Sequence, residues 1–275
     1  MEDTRLLEEL CAEFLPVVAR LAESGDYSVA VNGSHSKGTS DRNSDFDFSV
    51  YYDKPVDSEI MRAVITQWNG LAAKWKEKGV IVDGIFPRTY AEVEEQMDAW
   101  LSGKGSGISY VWTIWGYHIL TEIQNQLILV DTGGRAGKWK ERLSVYPEAL
   151  KKSIMDKHVM SLRYWRSDYH YRNKVGRKDV VFLASLTARL VQDMMQVIYA
   201  LNETYYPGDG SNLKYTQNFA IKPDDFESRI TRLFMVSEEA DAWRLQYEGC
   251  ISLIDDTLAL ADEFYYQNCN QKYRS

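Results

Sequence analysis

From Asp45 to Tyr52 the sequence alternates strictly, with Phe46, Phe48 and Val50 on one side of an extended chain and Asp45, Asp47 and Ser49 on the other. Residues two apart share a face of a strand, so the pattern predicts a β-segment with one apolar face to bury and one face bearing carboxylates. Such a strand cannot stand alone and needs sheet neighbours with a layer packed on its apolar side. Upstream, Tyr27 to Asn32 is short and β-branched enough to be a neighbour, and Gly33-Ser34 turns the chain between the two.

The remaining segments supply the layers. Leu7, Leu10, Phe14, Val17, Val18 and Leu21 recur at intervals of three and four, predicting an amphipathic helix from Thr4 to Glu23. Asp57 begins another helix, capped by its own side chain and running through Ile60, Val64, Trp68 and Trp75 to Gly79. Further strands are expected over Val80 to Phe86 and Leu127 to Val130. Between them lie a helical stretch from Arg88 to Leu101, a flexible connection from Gly103 to Gly107, and an aromatic run from Tyr110 to Tyr117. This order describes a small mixed sheet with helices covering one face.

Beyond Tyr146-Pro147-Glu148 the pattern is helical, over Glu148 to Tyr171, Asp179 to Leu201 and Glu238 to Phe264, interrupted by a long loop from Asn202 to Pro223. The expected fold class is α+β: a sheet-containing domain over residues 1–145, then a helical bundle over 146–275.

The formal charge is −8, from 32 Lys and Arg against 40 Asp and Glu. That balance disfavours a partner held by neutralising many phosphates, so no long nucleic acid is expected, and it suits a cationic small molecule. Cys11, Cys250 and Cys269 form no C-x-x-C pair and indicate neither a disulfide framework nor a zinc site, which fits a reducing cytoplasm. Met1 to Arg20 is acidic and amphipathic rather than a signal segment, and no apolar run of about 18 residues occurs. A soluble cytoplasmic protein without a membrane partner is expected; its oligomeric state is not set by these features.

Asp45 and Asp47 would present carboxylates from one face with α-carbons about 6 to 7 Å apart, within reach of the same cations. Magnesium takes oxygen ligands, and two ions about 3.5–4 Å apart clamp the attacking and leaving oxygens of a phosphoryl transfer. Asp83, a lone acid within Val80-Ile81-Val82-Asp83-Gly84-Ile85, is costly to bury unless it faces a cation or an open cleft. It is the candidate third ligand, or the base for an acceptor hydroxyl. Gly33 permits close backbone approach, Ser34 supplies a hydroxyl, Ser36-Lys37-Gly38 offers amides and an ammonium to phosphate oxygens, and Ser44 is placed to fix the acidic strand. His35 is either a phosphate donor or a loop histidine. Gly103-Lys104-Gly105-Ser106-Gly107 lacks the P-loop spacing, the four histidines share no zinc-binding spacing, and no G-x-S-x-G turn is present.

Gly33-Ser34, Gly38 and Ser44-Asp45-Phe46-Asp47 together resemble the G-S, G, S-D-x-D signature of the DNA polymerase β-like nucleotidyltransferase superfamily, in particular its small bacterial antibiotic-modifying members. The resemblance covers roughly residues 25 to 90. It implies that Asp45, Asp47 and Asp83 hold Mg²⁺, that Gly33 and Ser34 bind the nucleoside triphosphate, and that residues 146–275 resemble the helical domain of aminoglycoside and lincosamide nucleotidyltransferases. Tyr205-Tyr206-Pro207-Gly208 with Lys214 is similar to a Y-x-P-G and lysine stretch in helical domains of bacterial nucleotidyltransferases, which implies a triphosphate contact for Lys214.

The implied reaction is attack of an acceptor hydroxyl on the α-phosphate of ATP with release of pyrophosphate, the acceptor being a small molecule such as an aminoglycoside or lincosamide, as in antibiotic resistance. Two alternatives stand beside it: a toxin–antitoxin type enzyme that modifies a protein hydroxyl, and a nucleotide-binding regulator without turnover. Either Asp83 or another carboxylate such as Glu122 would take the acceptor proton.

Overall fold

The computed structural model describes residues 2–105, 118–208, 210, 212–237 and 241–267. The aromatic run expected at Tyr110 to Tyr117 and the start of the helix expected at Glu238 lie outside the described residues. The chain divides into two units, Met1–Asp98 with Ile119–Val145, and Ala99–His118 with Tyr146–Ser275. Of the described residues, 99–105 and His118, assigned by the sequence to the sheet-containing domain, group with the second unit.

In the first unit α1 (Glu2–Val18) tightens into a 3₁₀ turn and leads to β1 (Tyr27–Val31), α2 (Gly33–Lys37), β2 (Phe48–Tyr52), α3 (Ser58–Glu77), β3 (Phe86–Thr89), α4 (Tyr90–Leu101), α5 (His118–Asn125), β4 (Leu127–Asp131) and α6 (Arg135–Arg142). The sheet order is β3-β2-β1-β4. β1 runs antiparallel to β2 and β4, while β2 and β3 are parallel, so the sheet is mixed. The α+β class holds.

Val29, Val31, Phe48 and Val50 face α1 and α3, where Leu10, Phe14, Val17, Val64 and Trp68 complete a core. Trp68 is its centre, fully buried, with its indole edge-on to Phe14 at 4.4 Å and to Phe48 at 5.2 Å. Asp57 caps α3 through a 2.7 Å bond to the Glu59 amide, as its sequence position indicates.

The opposite sheet face is also covered, contrary to the expectation of helices on one side. Every residue of β2 is buried. Ser28, Ser49 and Tyr51 can enter this second layer because their hydroxyls are bonded: Ser28 to Tyr90 and Asp131, Ser49 to Glu122, Tyr51 to Gln126. Tyr51 and Tyr90 pack edge-on against Trp139 of α6. That helix carries only Ala136 and Trp139 as buried residues, too few to signal a helix by apolar period, and the Asp131 carboxylate holds its first amides.

The strand expected at Val80 to Phe86 is displaced. Pro87 sits in β3 because that strand is an edge, where a missing donor is tolerated, and only Val82 of the apolar run makes a bridge, to Phe46. Thr89 and Glu92 then form a reciprocal cap that starts α4 directly.

The second unit is helical: α7 (Glu148–Ser167), α8 (Tyr169–Arg177), α9 (Val180–Leu201), α10 (Asn212–Thr216), α11 (Phe226–Leu233) and α12 (Ala242–Ala261), which continues into a π turn. The single helix expected over Glu148 to Tyr171 is broken at Asp168, whose carboxylate accepts from the His170 and Tyr171 amides and so caps a new helix. The expected loop from Asn202 to Pro223 contains α10. By length and composition α9 could cross a membrane, yet 61% of the stretch is buried within the unit. It also carries Asp193, bonded to His158 and Ser161 of α7 at 2.6 Å each.

The indole of Trp68 donates a 3.0 Å bond to the Asp83 carbonyl. Trp68→Phe should therefore lose about 1–3 kcal/mol through the stranded carbonyl, and Trp68→Ala about 3–5 kcal/mol through the cavity, both read by denaturant unfolding. A Phe variant as stable as wild type would show that the indole bond does not secure the Asp83 segment.

Candidate active site

Three carboxylates converge in the first unit. One oxygen from each of Asp45, Asp47 and Asp83 lies within 4.8 Å of the others, and among the described residues no second group of His, Cys, Asp and Glu meets the same condition. The main chain brings them together. Phe46 N donates to Ile81 O and Asp83 N donates to Phe46 O, each at 3.0 Å, so the residue between the two motif acids is laced to the segment carrying the third. Asp45 and Asp47 precede β2 rather than lying in it, and Asp83 precedes β3. Their shared face comes from this extended lead-in, since Phe46 alone turns inward to burial and its neighbours turn out.

Within the turn expected between β1 and β2, Gly33-Ser34 opens a short helix, α2. Asn32 N donates to Asp47 O at 2.8 Å, drawing the two segments together. Gly33 is required twice over. Its φ is +63°, and a Cβ there would lie 1.9 Å from Asp47 Oδ2. The glycine therefore marks the spot where the Asp47 carboxylate lies against the backbone.

The other expected site residues are distributed as follows. Ser44 closes a turn with Asp41, its hydroxyl accepting from the Asp41 amide at 2.8 Å, which fixes the approach to Asp45. Lys37, half-buried on α2, lies near enough to Asp47 to lower its proton affinity. His35 stacks on Phe46 with ring centroids 3.8 Å apart, a packing role for the ring. Lys214 is exposed on α10, which belongs to the second unit, whereas Asp45, Asp47 and Asp83 belong to the first.

Sequence reasoning missed the polar layer behind the site. Glu122, 6% exposed, pairs with Arg88, and its Oε1 also accepts from Ser49 Oγ at 2.7 Å and Asn32 Nδ2 at 2.9 Å. An Arg in an edge strand and a Glu between Thr121 and Ile123 on α5 are 34 residues apart, with no local pattern linking them. With Oε1 engaged by three donors and the side chain buried, Glu122 is not placed to deprotonate an acceptor.

Burial, then the charges of Asp45, Asp83 and Glu122, push the Asp47 carboxyl up to about 7, with Lys37 pulling the other way. A cation bound at the three carboxylates would compete with the proton that this crowding favours on Asp47. Three oxygen donors at this spacing fit a hard divalent cation.

Residues 11–101 match the family model "Nucleotidyltransferase domain", and residues 112–210 match "Domain of unknown function (DUF4037)". No curated protein matches the chain. The first match contains Gly33, Ser34, Asp45, Asp47 and Asp83. The chain thus carries a nucleotidyltransferase domain and is a nucleotidyltransferase enzyme.

Because the folded pKa of Asp47 lies above its unfolded value, the folded state binds the extra proton, and stability falls as pH rises from about 4 to about 7. Without divalent cation, Asp47→Asn should raise the melting temperature by several degrees at pH 8 and lose that advantage toward pH 4. Equal melting of the two proteins at pH 8 would contradict the strained carboxylate. Gly33→Ala should leave helix content intact by circular dichroism and abolish divalent-cation binding.

Proposed function

We propose that the protein transfers a nucleoside monophosphate, AMP from ATP, to a hydroxyl of a small-molecule acceptor in a Mg²⁺-dependent reaction. The observation that carries this reading is the convergence of Asp45, Asp47 and Asp83 beside a glycine that admits the Asp47 carboxylate to the backbone. When bound, Mg²⁺ would neutralise charge on the phosphoryl oxygens and the pyrophosphate leaving group.

Asp45 and Asp47, half-buried, would hold the cation. Asp83 is exposed, and can complete the ligand set or accept the proton of the incoming hydroxyl. Ser34, adjoining the glycine, supplies a hydroxyl for the triphosphate, and Lys37 a positive charge to offset it. The net charge of −8 favours an acceptor that carries amino groups, the property shared by aminoglycosides and lincosamides. Antibiotic modification is therefore the finer form of the proposal, and a nucleotide contact from Lys214 belongs to it as well.

ATP labelled at the α-phosphate, incubated with the protein, Mg²⁺ and a panel of amino-containing antibiotics and metabolites, should label a small molecule and release pyrophosphate. Asp45→Asn should reduce that release by about a thousandfold or more, the scale at which loss of transition-state charge stabilisation acts. Label appearing instead on a protein band of a cell lysate would replace the small-molecule acceptor with a protein hydroxyl. Unchanged release in Asp45→Asn would overturn the assignment of the site.

A further inference from the structure

We propose that Glu122 and Arg88 are positioning residues, a buried ion pair that sets cation affinity by holding Asn32 and, through it, the spacing between Gly33 and Asp47. The inference rests on the metal-binding role given above to Asp45, Asp47 and Asp83.

The pair joins four separate segments at one oxygen. Asn32 lies between β1 and α2, Ser49 in β2, Arg88 in β3 and Glu122 on α5, and the first three side chains meet around Glu122 Oε1. Asn32 Nδ2 also donates to Ser49 Oγ at 2.7 Å, and Arg88 Nη2 donates to the same hydroxyl at 3.1 Å. Asn32 is 4% exposed and Ser49 2%. Its main chain meanwhile faces the site: the Asn32 amide donates to Asp47 O, and the next residue is the glycine against which the Asp47 carboxylate lies. One residue thus has its side chain in the buried network and its backbone in the cation-binding hairpin.

A buried ion pair adds little to stability compared with apolar residues of similar size, but it fixes geometry where hydrogen bonds from several directions must be met at once. Partners behind metal-binding side chains act in this way, and their loss lowers metal affinity by about 10–100-fold. The pair also spans the two family matches, with Asn32, Ser49 and Arg88 in residues 11–101 and Glu122 in residues 112–210. The second matched segment therefore supplies a side chain that holds the hairpin of the first.

The test uses Mn²⁺ as the probe, titrated into the full-length, nucleotide-free protein and followed by electron paramagnetic resonance, alongside thermal melting. Arg88→Met with Glu122→Leu removes the pair without changing net charge; because the Glu122 charge also bears on Asp47, Asn32→Ala, which keeps both charges in place, separates loss of support from a change in field. This double variant should melt within a few degrees of wild type and bind Mn²⁺ about tenfold or more weakly. Asn32→Ala, which cuts the link and leaves the ion pair, should weaken binding comparably, and it decides the matter should the double variant fail to fold. Wild-type Mn²⁺ affinity and spectrum in a folded double variant, or in Asn32→Ala, would overturn the positioning role while leaving the metal site standing. Absence of Mn²⁺ binding in wild type would overturn the metal site itself, and this inference with it.

Discussion

Holding three like charges within 4.8 Å of one another requires a force that side chains of this kind cannot provide, and here it comes from the main chain. Phe46 is bonded on both sides to the segment of Ile81 and Asp83, and Asp47 receives the Asn32 amide through its carbonyl. Each such bond contributes about 1 kcal/mol, and the bonds act together because each segment is anchored in the sheet. The repulsion left over is visible in Asp47, whose carboxyl is driven up to about 7. A divalent cation bound there would convert this repulsion into attraction, so the crowding that raises the Asp47 carboxyl is the feature that would give a metal site its affinity.

The site sits where two chemically different layers of one unit meet. On the apolar side Trp68 packs against Phe14 and Phe48 and reaches with its indole to the Asp83 carbonyl, so hydrophobic burial fixes the third acid. On the polar side Glu122 gathers Asn32, Ser49 and Arg88 and fixes the first strand's exit. Gly33 lies between the two, and its lack of a side chain lets the Asp47 carboxylate settle against the backbone. A core residue and a buried ion pair thus brace the three carboxylates from opposite sides of the sheet.

Much of this was legible in the residues. The alternation from Phe46 to Val50 marked the apolar face, and the Gly33-Ser34 and Asp45-Phe46-Asp47 spacing marked the acids. Asp57 announced the start of α3 by its own capping chemistry. Local pattern failed where distant partners decided the outcome. Val80-Ile81-Val82 is β-branched enough for a full strand, yet the ladder begins at Phe86 because the pairing available to it lies along the edge of β2. Asp168 broke a helix whose apolar period continued past it, since a carboxylate that can accept two amides competes with the helix's own bonds. Glu122 stood as a candidate base for the acceptor hydroxyl, because nothing near it in sequence reveals an arginine 34 residues earlier.

The sequence alone determined which groups are present and which share a face: residue spacing fixes side-chain direction along a strand or helix, and glycine alone tolerates the backbone at position 33. Only the tertiary structure decided that the third carboxylate meets the other two, that the second sheet face is buried, and that Glu122 is held by Arg88 rather than open to a substrate. These outcomes depend on hydrogen bonds and burial between segments tens of residues apart, which no local period encodes.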